Sequence, residues 1–165
     1  MIKYLVFICL VCLCGCSINS SFIVTNYIPE KQITLKLYGV TFSEINDKIN
    51  YPRKTMIFEK EKKLEEKIIL IYKETQSLLG LYNEPIKPLI IYVLPRKSNV
   101  QKLYHSTRAF RVRGFYSIKK KAIFISLETM SSSLLAHEIC HHLTAKNMTY
   151  EMTEILARYV GKNIY

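Results

Sequence analysis

The residues best suited to chemistry sit in one short run, His137-Glu138-Ile139-Cys140-His141. Successive helical residues turn by about 100°, so on a helix the two histidines fall roughly 40° apart in angle and one turn apart along the axis. Two imidazoles so placed can reach one divalent cation. Glu138 lies about 100° round from His137 and roughly 60° from His141. From there its carboxylate can face the open coordination position without filling it, which is where a general base takes a proton from an attacking water. The H-E-x-x-H spacing is thus a metal-hydrolysis pattern with a physical basis.

The segment carrying this run must be a helix that buries one side. From Ser131 to Lys146, Ala136, Ile139, Cys140 and Leu143 recur at i, i+3, i+4 and i+7, the core stripe of an amphipathic helix. The His137/His141 face adjoins that stripe, which predicts a pair at the edge of the core. Cys140 belongs to the stripe and reads as a small core residue rather than a ligand or nucleophile. His142 points about 100° away from His141 and reads as a surface or supporting residue.

A zinc hydrolase site takes three protein ligands and keeps one position open. A third histidine in the pattern H-E-x-x-H-x-x-G-x-x-H would need Gly at position 144 and His at 147, where this chain has Thr144 and Asn147. The remaining usual choice is a carboxylate from the next helical segment, Thr149–Gly161, which offers Glu151 and Glu154. With Thr149 as N-cap, Glu151 falls in the first turn, where the helix dipole already explains an acid. Glu154 lies deeper. It is placed opposite an apolar stripe of Met152, Ile155, Leu156, Tyr159 and Val160. Ala157 and Gly161 share the side of Glu154, and small residues there would let another helix approach closely. The competing reading of Glu154 is an exposed acid paired with Arg158 at i+4. Five residues, Ala145 to Thr149, separate the two segments, and so short a connection makes antiparallel neighbours whose faces can converge.

At this point the chain resembles a known family. Leu135-Ala-His-Glu-Ile-Cys-His-His-Leu143, followed by Glu154-Ile-Leu-Ala-Arg-Tyr-Val160, is similar to the gluzincin metallopeptidases, especially their minimal single-domain members. Their pattern is H-E-x-x-H and then a second helix opening E-G-[apolar]-A-x-Y. Ala157 and Tyr159 match it, and Ile155 stands where Gly is frequent. The resemblance covers 131–160. It implies a zinc site of His137, His141 and Glu154, with Glu138 as catalytic base, a zincin-like fold, and a peptide or protein substrate. Gly114-Phe-Tyr-Ser117 and Ile123-Phe-Ile-Ser126 are similar to the strands that precede the active helix in that family, one of which holds an extended peptide by β-augmentation. Larger members add a Tyr or His that stabilises the transition state. Tyr159, Tyr116, Tyr104 and His105 are candidates on chemistry alone, in a chain with 12 tyrosines.

The elements that must position this site read as α+β. Ile33–Tyr38 alternates apolar and polar residues as a half-buried strand does. Thr55–Leu79 is the longest helical pattern, with Leu64, Ile68, Ile71, Tyr72, Thr75, Leu78 and Leu79 as its buried stripe and Gly80 as its C-cap. The charge run Glu59–Lys67 inside it reads as a solvated face. Pro88–Pro95 encloses an apolar run expected to be a buried strand. Ser98–Tyr104 reads as a short helix, and Arg113–Ile118 and Ala122–Leu127 as paired strands around a lysine-rich turn. The expected architecture is a long N-terminal helix on a small mixed sheet, then the active-site helix and a second ligand-bearing helix.

Residues 1–15 fall outside that fold. Lys3 precedes an apolar run, Tyr4–Leu13, of about ten residues, too short to span a bilayer of roughly 30 Å and suited to a signal peptide. Leu13-Cys14-Gly15-Cys16 resembles the bacterial lipobox. That resemblance implies cleavage before Cys16, its lipidation, and a mature protein held on the membrane of the cell envelope outside the cytoplasm. Residues 16–28 are then the lipidated cysteine and tether, and 29–165 the metallopeptidase domain. Cys9, Cys12 and Cys14 leave with the leader, so Cys140 is the one thiol left in the fold, with no partner for a disulfide.

The 165 residues are 49% hydrophobic and 22% charged, a globular balance that excludes a disordered or fibrous chain. A net charge of +11 favours anionic neighbours without choosing one. The basic residues are scattered with no groove-reading motif, so nucleic acid is not an expected partner. The local basic patch, Arg108–Arg113 beside Lys119–Lys121, reads as solubility or attraction to lipid headgroups. A monomer is expected. The alternative to an enzyme is an inactive zincin-like surface lipoprotein serving as a binding or structural module.

Overall fold

A computed structural model describes residues 23–28, 33–50, 64–104 and 111–164 of the chain. The leader, Cys16 and residues 55–63 of the long helical pattern lie outside these residues, as does His105. The described residues form an α+β fold with one five-stranded mixed sheet in the order β1-β2-β3-β5-β4. The strands are β1 Ile23–Ile28, β2 Ile33–Tyr38, β3 Leu89–Leu94, β4 Gly114–Ser117 and β5 Ala122–Ser126. The helices are α1 Phe42–Asn46, α2 Leu64–Leu78, α3 Lys97–Leu103, α4 Ser132–Thr144 and α5 Tyr150–Asn163. Within the 16–28 stretch, Ile23–Ile28 pairs antiparallel with β2 and extends the sheet.

The sheet is built around the β2–β3–β5 trio, whose members run parallel. Its inner face carries Ile33, Leu35 and Leu37 from β2, Leu89, Ile91 and Val93 from β3, and Ile123 and Ile125 from β5, all essentially without solvent contact. Against it pack Ile68, Ile71 and Tyr72 of α2 and Leu135, Ile139 and Cys140 of α4. Burial of this apolar area is the main force holding the layers together. β3 differs from the fully buried strand its composition suggests. Leu89, Ile91 and Val93 are buried, while Ile90, Tyr92 and Leu94 are only half-buried. The outer face instead carries a row of aromatics across four strands. Tyr92 stacks on Phe124 at 4.6 Å and Phe124 on Phe115 at 4.9 Å, with Tyr38 6.0 Å from Tyr92.

Local chemistry sets the ends of the helices. α2 stops at Gly80, whose φ of +73° is open to a residue without Cβ. The Gly80 N–H donates to the Ser77 carbonyl at 3.1 Å and the Leu81 N–H to the Gln76 carbonyl at 2.8 Å, a Schellman closure. α4 opens on Ser131, whose hydroxyl accepts from the Leu134 N–H at 3.2 Å. Ser132 then ties the start of α4 to the segment before α2. Its Oγ accepts from the Asn50 N–H at 2.8 Å and donates to the Asn50 carbonyl at 2.9 Å. α1 is closed by a capping box, Thr41 with Glu44, a short helix that apolar periodicity does not reveal. β4 and β5 form the antiparallel hairpin expected around the lysine-rich turn, and among the described residues β4 is a sheet edge.

Candidate metal centre

α4 and α5 meet through small residues. Ala157 has no solvent exposure. A Cβ at Gly161 would stand 3.1 Å from the Ser133 carbonyl oxygen and 3.7 Å from the His137 Cβ, so glycine is what permits the contact. The Ser133 hydroxyl closes it, donating to the Gly161 carbonyl at 2.7 Å. Thr149 caps α5 by accepting from the Met152 N–H at 3.4 Å. The contacting face of α5 is Thr153, Ala157 and Val160. The small-residue side is thus where the other helix approaches, as the sequence suggests, while the apolar stripe opposite it is mostly uncovered. Met152, Ile155 and Tyr159 are 52%, 63% and 51% exposed, and of that stripe Val160 alone is fully covered.

The close approach brings three side chains together. His137 Nε2 and His141 Nε2 are 3.1 Å apart. Glu154 Oε2 lies 3.3 Å from His141 Nε2 and 3.8 Å from His137 Nε2. One ligand atom from each residue falls within 4.8 Å of the others. A tetrahedral zinc site with bonds of about 2.0–2.1 Å has ligand–ligand edges of about 3.3–3.4 Å. The three observed separations bracket that edge, so the donor set fits a divalent cation of zinc's size and coordination habit. The other carboxylate oxygen, Glu154 Oε1, accepts from Arg158 Nε at 3.0 Å. The ion pair with Arg158 and the approach to the imidazoles therefore coexist, one on each oxygen, and the guanidinium fixes the carboxylate's orientation as supporting groups of metal ligands do. Glu151 is exposed in the first turn of α5 and is not a member of this cluster.

Burial governs the electrostatics. It drives the pKa of His141 down to about 4, helped by His137 and opposed by Glu154. It lowers His137 too, against the opposing Glu154 charge and a hydrogen bond to the Ala157 backbone, while the fields of Arg158 and Arg113 add to the lowering. Neutral imidazole is the form that binds a metal. Glu138 is 4% exposed. Its pKa is pushed up to about 8, first by burial and then by the Glu154 charge, and is eased by a hydrogen bond from the Tyr116 backbone. A Cβ on Gly114 would sit 3.6 Å from Glu138 Oε1. The tighter contact of such a Cβ is with the Phe124 carbonyl oxygen at 3.3 Å, so Gly114 chiefly eases the fit of β4 on β5 beside that carboxylate. Cys140 is fully buried, as its place in the stripe suggests, and burial raises its thiol pKa to about 11.

A cleft of about 400 Å³ opens over these groups, walled by β4, the start of α5 and Tyr104. The aromatic candidates separate here. Tyr116 O–H and His142 Nδ1 are 3.2 Å apart, so each is engaged with the other beside the site and His142 plays a supporting part. Tyr159 is turned to solvent. Tyr104 lines the cleft with its ring edge against Phe115. Tyr150 lines it as well and is 74% exposed. It escaped sequence reading, although it stands one helical turn before Glu154 on the same face, a signal legible from i,i+4 spacing.

Among the described residues no helix is long and apolar enough to cross a membrane. Compared with known protein families, with curated proteins and with solved structures, the chain matches none. Its candidate site stands on geometry: His137, His141 and Glu154 form a cluster able to hold a metal ion.

Proposed function

We propose that the protein is a zinc-dependent peptidase of gluzincin type, carried on the bacterial cell envelope by a lipid anchor at Cys16. The observation that supports it is the convergence of His137, His141 and Glu154 within 4.8 Å beside a buried glutamate, Glu138, that is no ligand. His137 Nε2, His141 Nε2 and Glu154 Oε2 hold the ion. When bound, zinc supplies Lewis-acid polarisation of a scissile carbonyl and lowers the pKa of water.

The chain's own residues do the rest. The Glu138 carboxylate accepts the proton of the attacking water and delivers it to the leaving amine nitrogen, as the carbon–oxygen bond forms and the carbon–nitrogen bond breaks. The Tyr116 backbone N–H orients Glu138. The edge strand β4 offers its backbone to an extended peptide, which lays the substrate along the cleft. Of the cleft-lining phenols, Tyr116 meets His142 Nδ1, and Tyr104 and Tyr150 can donate to the carbonyl oxygen as it gains charge.

Metal content and turnover of the full chain test this reading. Wild type and Glu151→Ala are expected to bind one zinc per chain, and Glu154→Ala to lose it. Glu138→Gln is expected to keep zinc and lose about 10²–10⁴-fold in peptide turnover. Full turnover in Glu138→Gln would remove the base from the mechanism. Stoichiometric zinc in a wild type that cleaves no peptide of a broad library would instead favour the inactive module. Incorporation of labelled fatty acid in a bacterial host, abolished by Cys16→Ser, checks the anchor.

A further inference from the structure

The cleft has a second arm, and its chemistry differs from that of the metal site. On α5, Glu154, Arg158 and Lys162 follow one another at four-residue steps. Such a row runs along one side of a helix and advances about 12 Å over its length. Facing it, Arg111 and Arg113 lead into β4. Together these four cations line a hollow of about 670 Å³ that shares His137, Glu138 and Glu154 with the metal site. The acids lining it are Glu138 and Glu154, and both serve the site itself. Ser131 Oγ accepts from the Leu134 N–H and the Ser133 hydroxyl donates to the Gly161 carbonyl. Beyond the acids of the site itself, the charge the arm presents is positive.

Arg158 illustrates how that charge is presented. Its Nε is held by Glu154 Oε1 at 3.0 Å while the side chain stays 70% exposed. A guanidinium has five N–H donors in a planar fork suited to carboxylates. Arg113 and Lys162 are exposed as well. Cations gathered around a concave, low-dielectric wall focus their field into it and raise the local concentration of an oppositely charged ligand. Arg111 and Arg113 belong to the basic stretch that solubility alone would otherwise explain. Their place in the fold gives them a direction.

We propose that this arm selects acidic peptides, binding an aspartate or glutamate side chain, or a terminal carboxylate, within about four residues of the scissile bond, since an extended chain covers about 12 Å in that length. The proposal rests on the peptidase reading for its scissile bond, but the charge preference is measurable without turnover.

The experiment uses the full chain carrying Glu138→Gln, loaded with zinc, and two fluorescein-labelled peptides of one sequence that differ in having Glu or Lys at the positions flanking the central bond. Fluorescence anisotropy is expected to show the acidic peptide bound about ten-fold more tightly, with the advantage shrinking between about 0.05 and 0.5 M salt. Arg113→Glu and Lys162→Glu should each cut that advantage about five-fold, and the double variant should favour the basic peptide. Lys73→Glu makes the same change in net charge on an exposed residue of α2 and should leave the preference intact. Equal binding of the two peptides overturns the proposal, and so does a preference that Lys73→Glu weakens as much as Lys162→Glu does. Wild-type turnover of the same peptides separates the two readings. Charge-selective binding with no turnover sinks the peptidase and leaves the acidic arm standing. Turnover with no charge preference sinks the arm alone.

Discussion

Helices α4 and α5 supply the same candidate metal cluster, yet their sequences advertise their buried faces in opposite ways. In α4 the apolar stripe Ala136, Ile139, Cys140 and Leu143 is the buried face, at 4% exposure or less. In α5 the large apolar residues Met152, Ile155 and Tyr159 are more than half exposed, and the covered positions are Thr153, Ala157 and Val160. The difference follows from what each helix packs against. α4 lies on a sheet and on α2, where filling volume with large side chains is what stabilises. α5 lies on α4, and Glu154 comes within 3.8 and 3.3 Å of the two imidazoles. Axis separation depends on the side chains at the contact, so the residues between these helices are small. For α5, close packing through small residues sets the face, and hydrophobic periodicity does not.

Substitutions on the two helices sharpen this contrast when stability is measured by urea denaturation in chelator, which keeps metal binding out of the comparison. Ile139→Ala in α4 removes a fully buried side chain and is expected to cost about 2–5 kcal/mol. Ala157→Leu should cost about 1–3 kcal/mol by overpacking the α4–α5 contact. It should also weaken zinc binding, measured by competition with a chromophoric chelator, because it forces Glu154 away from the histidines. Ile155→Ala, at a position 63% exposed, should change stability by no more than about 0.5 kcal/mol. A cost at Ile155 comparable with that at Ile139 would break the comparison and restore the large apolar stripe as the packed face.

Much of the architecture is legible in the chain because it is set locally. The strand at Ile33–Tyr38, the hairpin around Lys119–Lys121, the Gly80 stop and the Thr149 cap all depend on neighbours within a few residues. α1 went unread, because apolar periodicity passes over it, although its Thr41–Glu44 capping box is a local polar signal. The half-open outer face of β3 was not legible, because its continuous apolar run is the same whether one face or both are covered. Gly114 was not legible as a site residue either. It borders Glu138 from 24 positions away in the chain, a neighbour relation set by how α4 lies against β4.

The site divides along the same line. The amino-acid sequence by itself determined that His137 and His141 share a helix face with Glu138 beside them, since the pitch of one helix fixes those relations wherever that helix forms. The helix cap and the small-residue side already favoured Glu154 over Glu151; only the tertiary structure supplied its distances to the two imidazoles, turned Tyr150 toward the cleft, and brought Arg113 and Lys162 to one hollow. Each of those relations is a distance between separate elements, and such distances are set by which side chains lie at the contact and how closely they let the backbones approach.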